Sequence, residues 1–224
     1  MENQYYEASP SNGLCFLASS LPDSLAEPNA LCNLFGYYGD VHRVKILHNK
    51  KDCALVQMAK PHQAATVRKY MDQLRLQGNK ICISFSRMQS IKMPSDIGIN
   101  DDSGTKDFTN VKGRFRNPAM AAKLSKNLCA PTNLLHVANL PDQFTIEDLK
   151  KYLTEEGYTV THIQDCGKDG QMALVQFATL NEAVMALAKL HNVTPGAPGV
   201  YKTKNDSGLC FSFSCRKLSE RMNE

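Results

Sequence analysis

The chain has 224 residues and a formal net charge of +4. That length holds one large domain or two of about 100 residues. A hydrophobic content of 42%, with nine Phe and eight Tyr, supplies a core for each half and excludes a disordered chain, while the mild basicity fits a polyanionic ligand without demanding one.

The apolar run Leu14–Ser19 reads as a strand. Pro28 then opens a helix with Leu31, Leu34, Phe35 and Tyr38 along one side, and Gly39 is its expected stop. Two strands follow, Arg43–His48 and Cys53–Met58, joined by a polar turn. A second helix begins at Pro61, with Val67, Met71 and Leu74 at helical spacing. The last strand of this half, Lys80–Ser86, alternates Ile81, Ile83 and Phe85 inward.

Residues 90–131 carry Pro94, Gly98, Asp101-Asp102 and Gly104, then a basic stretch. Between Lys106 and Lys126 six Lys/Arg (Lys106, Lys112, Arg114, Arg116, Lys123, Lys126) face one acid, Asp107. Phe108, Phe115, Met120, Leu124 and Leu128 give this segment more apolar side chains than a flexible tether needs, so it is expected to be structured.

The second half repeats the order of the first. A strand Leu134–Ala138 precedes a helix from Thr145 to Gly157, with Thr145 and Asp148 spaced as a capping box. Strands Val160–Gln164 and Met172–Phe177, helix Asn181–Leu190 and strand Leu209–Ser214 complete it. The repeat is visible in the residues themselves. Ala54-Leu55-Val56-Gln57-Met58 returns as Ala173-Leu174-Val175-Gln176-Phe177, and Ser20-Leu21-Pro22 as Asn139-Leu140-Pro141, both at an offset of 119. Ile83-Ser84-Phe85-Ser86 returns as Phe211-Ser212-Phe213-Ser214 at 128, so about nine extra residues fall in the Gly/Pro/Asn-rich loop Val193 to Gly208.

The order βαββαβ, twice, is the ferredoxin-like α+β pattern: four antiparallel strands with both helices on one face and the other face open. Domains are expected at 13–93 and 132–218, with a basic interdomain linker at 94–131. The eight cysteines, at 15, 32, 53, 82, 129, 166, 210 and 215, form no Cys-x2-Cys pair, which argues against structural zinc. No apolar leader or run of the roughly 18 residues needed to span a bilayer is present, so no membrane is expected and the setting reads as a reducing cytosol or nucleus. No Gly-x-Ser-x-Gly, phosphate loop or His-x-x-x-His pair occurs, so neither an enzyme nor a cofactor is expected.

An open sheet face flanked by a repeat resembles the RNA recognition motif, in which outward side chains of strands one and three stack on bases of single-stranded RNA. In that register Leu135-His136-Val137-Ala138-Asn139-Leu140 places His136, and Phe16-Leu17-Ala18-Ser19-Ser20-Leu21 places Leu17, at the stacking position. The outward positions of strand three are Cys53, Leu55 and Gln57, then Met172, Leu174 and Gln176. The usual strand-three aromatics are missing.

More specifically, Leu34-Phe35-Gly36-Tyr37-Tyr38-Gly39-Asp40-Val41, Arg43-Val44-Lys45-Ile46-Leu47, Asn49-Lys50-Lys51-Asp52-Cys53-Ala54-Leu55-Val56-Gln57-Met58, Thr105-Lys106-Asp107-Phe108 and Arg114-Phe115 resemble the third and fourth domains of the polypyrimidine tract-binding protein family. The similarity runs from Gly13 to Lys217. In that family outward aliphatic groups pack on pyrimidine rings, and groups at the end of strand four read their edges. The resemblance implies Leu17, Lys45, His48, Cys53, Leu55, Ser84, Ser86, Arg87 and Gln89 as RNA contacts in the first domain. In the second it implies His136, Met172, Leu174, Ser212 and Ser214, with Arg216 supplying the charge of a family Lys that Cys215 replaces.

It further implies that Ile91 and Met93 form a fifth strand of the first domain, and that the linker holds the two domains back to back, so that one RNA loops between them. The expected partners are pyrimidine-rich single-stranded RNA and splicing-related proteins. The expected state is a monomer in the nucleus that also shuttles to the cytoplasm. Two alternatives stay open: a protein-docking module built on degenerate motifs, and a CA-rich RNA binder of the heterogeneous nuclear ribonucleoprotein L type.

Overall fold

The computed structural model describes residues 13–98, 104–111, 113–166, 170–196 and 208–215. Contacts divide the chain into two compact units, Met1–Leu128 and Cys129–Glu224.

In the first unit, strand β1 (Cys15–Ser19) leads through a 3-10 turn at Asp23–Leu25 to helix α1 (Pro28–Gly36). Strands β2 (Val41–Leu47) and β3 (Lys50–Met58) precede helix α2 (Pro61–Met71). A two-residue hairpin, β4 (Arg75–Leu76) with β5 (Asn79–Lys80), comes before β6 (Cys82–Phe85). Helix α1 ends at Gly36 rather than at Gly39, and Leu74 lies beyond α2. Gly39 answers a packing demand instead: a Cβ there would meet Gln63 Cβ at 2.5 Å.

The sheet runs β6-β1-β3-β2-β7, where β7 is Thr105–Asp107, paired antiparallel to β2. A fifth strand therefore exists, but it comes from Thr105–Asp107 and not from Ile91 and Met93. The reason lies in side chains. Arg43 in β2 binds Asp107 at 2.8 Å and donates to the Ile91 carbonyl at 2.7 Å, while Gln57 accepts the Ile91 N–H at 2.9 Å. Ile91 is thus held by side chains and does not join a ladder.

The linker continues this unit. Phe108 and Phe115 are buried, Asp40 accepts the Phe115 N–H, and helix α3 (Pro118–Ser125) is capped by Asn117. Tyr70 and Tyr37 donate to the carbonyls of Leu128 and Asn127. The core lies between the sheet and α1/α2, where Phe16 meets Phe35 edge-on at 5.2 Å.

The second unit contains β8 (Leu134–Ala138), α4 (Ile146–Glu155), β9 (Val160–Asp165), β10 (Met172–Phe177), α5 (Leu180–Leu190) and β11 (Cys210–Phe213). Its sheet order is β11-β8-β10-β9, which matches β6-β1-β3-β2 of the first. The capping box of Thr145 with Asp148 forms as its spacing predicts. The repeat extends to backbone detail at the same offset of 119. Ser20 and Asn139 have φ of 57° and 63°, and Gln73 and Asn192 both have φ near 65° (66° and 65°). Asn tolerates this left-handed region better than most residues, and Asn139 adds a bond from its amide to the Gly208 carbonyl. Most of the expected loop from Val193 to Gly208 lies outside the described residues.

Candidate nucleic-acid interface

Strand alternation sorts each sheet into a packed and an open side. In β1, Phe16 and Ala18 are fully buried and Leu17 between them is half-buried. In β3, Ala54 and Val56 are fully buried and Leu55 is not. Leu17 lies opposite Leu55 on one side and Ser84 on the other, and Leu55 lies opposite Lys45. The open face of the first unit therefore carries a row Ser84, Leu17, Leu55, Lys45. Three inter-strand steps make it about 14 Å long.

The second unit carries the same row with other side chains. His136 is flanked by the buried Leu135 and Val137, and Leu174 by the buried Ala173 and Val175. His136 lies opposite Leu174 and Ser212, and Leu174 opposite Gln164. Ser212, His136, Leu174 and Gln164 thus repeat Ser84, Leu17, Leu55 and Lys45. Met172 sits one row away opposite Ala138, 38% exposed.

Two expected site residues are placed differently from the strand reading. Cys53 has outward parity but is only 6% exposed, because its thiol sits against the Ser20 turn and donates to Asp52 at 3.5 Å. Burial comes first among the causes that raise its pKa, followed by Asp52. His48 is exposed in the turn after β2 and not on the strand, since the ladder shifts register between Ile46 and Leu47. Arg216 lies outside the described residues.

Ser86, Arg87 and Gln89 follow β6. Ser86 donates its N–H to the Cys15 carbonyl and accepts the Met88 N–H on its hydroxyl, while Arg87 and Gln89 are exposed. Ser214 holds the matching place in the second unit. Its N–H donates to Leu134 and its carbonyl accepts from Thr132.

Two features escaped the sequence reading. Gln164 closes the second row where Lys45 closes the first; the alternation of Val160–Gln164 carried that signal. The other is a strap. Gln57, Arg43 and Asp107 form the next outward row of the first sheet, and Ile91, 1% exposed, is bonded to the side chains of Gln57 and Arg43. The segment leaving β6 therefore crosses the open face one row below Leu17 and Leu55. No local pattern announces such a crossing.

The remaining chemistry is sparse. Burial pushes the thiol of Cys15 up to about 11 and that of Cys32 up to about 12, so both are packing groups at neutral pH. Among the described residues no group of three or more His, Cys, Asp or Glu converges.

Two sheets with the matching orders β6-β1-β3-β2 and β11-β8-β10-β9 and helices packed on one face have the architecture of the RNA recognition motif class, and the description of that family (RRM, RBD or RNP domain) matches residues 6–111. The chain is a homologue of polypyrimidine tract-binding protein homolog 3 of Arabidopsis thaliana, at 32% identity over 80% of this chain and 40% of that protein. It is also related to heterogeneous nuclear ribonucleoprotein L of Homo sapiens, at 27% identity over 80% of this chain and 31% of that protein. The chain thus spans less than half the length of either relative. Among solved structures, a Sxl-lethal protein/RNA complex aligns over 90% of this chain and 99% of its own at 15% identity and a TM-score of 0.32.

Proposed function

We propose that the protein binds short pyrimidine-rich single strands of RNA on the open faces of both sheets and regulates pre-mRNA splicing or another mRNA-processing step in the nucleus. The observation that carries this reading is the pair of equivalent rows, Ser84–Leu17–Leu55–Lys45 and Ser212–His136–Leu174–Gln164. Each offers a flat apolar or imidazole centre for a base, with a hydroxyl at one end and a longer polar side chain at the other. Small rings suit such a row, because aliphatic groups support a base by contact area without requiring a second aromatic ring. Similarity to a protein named for polypyrimidine-tract binding supports the choice of base.

The reading involves no catalysis and no cofactor. The protein acts as a monomer whose two domains share one RNA, so affinity grows through effective concentration. It shuttles between nucleus and cytoplasm, and splicing proteins are its further partners.

The test is a titration of U/C-rich, CA-rich and A-rich oligonucleotides at two salt concentrations. Tightest binding to U/C, with log K falling linearly in log salt, is the expected result. A preference for CA would replace the base assignment. No binding of any RNA below ~100 μM, where even non-specific contacts register, would leave the protein-docking alternative.

A further inference from the structure

The β6 edge of the first sheet holds a basic and aromatic feature outside the row. Ala65, Arg68, Lys69 and Asp72 of α2 and its end line a groove of about 420 Å³ with Phe85 of β6. The Arg68 guanidinium lies over the Phe85 ring at 5.1 Å, and Lys69 is exposed beside it. Phe85 lies opposite Phe16 and so has core parity, but β6 is the sheet edge and its ring stays half-exposed.

We propose that this groove is an additional RNA-contact site, which takes a nucleotide beyond the row on the sheet face; it rests on the RNA-binding reading above and extends it. Three observations favour RNA as the occupant. The groove carries two cations against one acid, and that acid, Asp72, is already engaged as acceptor of the Ile83 N–H at 2.8 Å and the Gln73 amide at 3.1 Å. The same Asp72–Ile83 bond occupies an edge donor of β6, which a peptide adding as a strand would need. Finally, the groove lies at the sheet's β6 edge: Ser84 is on the open row and Phe85, the next residue, turns to the helix side and lines the groove, so a strand of RNA leaving Ser84 reaches it by rounding one edge strand. There Arg68 offers a guanidinium plane for a base and Lys69 a charge for a phosphate, the pairing by which single strands are tracked without sequence preference.

The experiment compares a U/C tetranucleotide with a U/C decanucleotide on the full chain, for the unaltered protein, the double variant Arg68→Gln/Lys69→Gln, the charge-preserving Arg68→Lys/Lys69→Arg, and a control, Lys150→Gln/Lys151→Gln, on the exposed side of α4. The Gln pair is expected to weaken the decamer about 10-fold at low salt and to lower the slope of log K against log salt by about 0.7, the worth of the one phosphate on Lys69. The tetramer should change less than about 2-fold, since it is filled by the row alone. The charge-preserving pair should keep the slope, which separates lost contacts from lost folding. Equal losses for both lengths, an unchanged slope with the decamer, or the same loss from the α4 control overturns the groove site and leaves the sheet reading standing. A decamer that binds no tighter than the tetramer to the unaltered protein does the same. Failure of the unaltered protein to bind either length overturns both.

Discussion

Leu17 and His136 occupy the same place in two sheets: each is the centre of its first strand, each lies opposite a leucine on the third strand, Leu55 or Leu174, and each lies opposite a serine on the last, Ser84 or Ser212. The two domains thus present one geometry with two chemistries. An aliphatic pair with Lys45 at its end favours contact area and a phosphate. An imidazole with Gln164 favours stacking and neutral hydrogen bonding.

That difference is measurable. His136→Ala should weaken binding of a U/C oligonucleotide by about 1–3 kcal/mol, the usual worth of a stacked base. Leu55→Asp should cost at least as much in the first domain, because it adds a negative charge beside the RNA as well as removing contact area. Fluorescence anisotropy with each variant reads both, and an unchanged Kd for either removes that residue from the interface.

The strap makes a separate prediction about motion. Arg43 holds Asp107 of β7 and the Ile91 carbonyl at once. Arg43→Ala should therefore speed amide exchange at Ile91 and across Thr105–Asp107, with a loss of about 1–3 kcal/mol in local stability, while β8 to β11 keep their rates. Exchange that stays slow at Ile91 would mean that the strap is held by something other than this arginine.

Packing at Gly39 is testable by one methyl group. A Cβ there would lie 2.5–2.7 Å from three carbons of Gln63, whose side chain is buried and whose Oε1 accepts the Lys60 N–H that starts α2. Gly39→Ala should destabilise the first domain by about 1–3 kcal/mol in chemical denaturation. An unaltered midpoint would show that Gln63 moves aside without cost.

Acid should act on the second domain through the matching cap. Glu182 stands 119 residues after Gln63. It accepts N–H bonds from Thr179 and Thr159. Burial would raise its pKa, but these hydrogen bonds outweigh it, and the folded-state pKa falls below the usual 4.5. A depressed carboxyl pKa contributes stability that is present at neutral pH and lost as the pH falls from the usual value through the folded one. Melting followed from pH 7 to pH 3 should show this loss in the second domain, and Glu182→Gln should flatten it. Gln63 in the first domain does not titrate, so its cap should be indifferent to acid.

The amino-acid order alone carried the two βαββαβ halves, the alternation that separates Leu55 and Leu174 from their buried neighbours, the Thr145 cap and the apolar linker. All of these are local: a period of two or 3.6, or a pair three residues apart, is set by backbone geometry within one element. Tertiary structure decided the rest. Thr105–Asp107, and not Ile91 and Met93, became the fifth strand because Arg43 reaches partners 48 and 64 residues away. Cys53 was withdrawn from the face by the Ser20 turn, and the ladder's slip at Ile46 left His48 in a turn. Contacts between residues so far apart leave no period in the chain, so only the folded arrangement could choose among them.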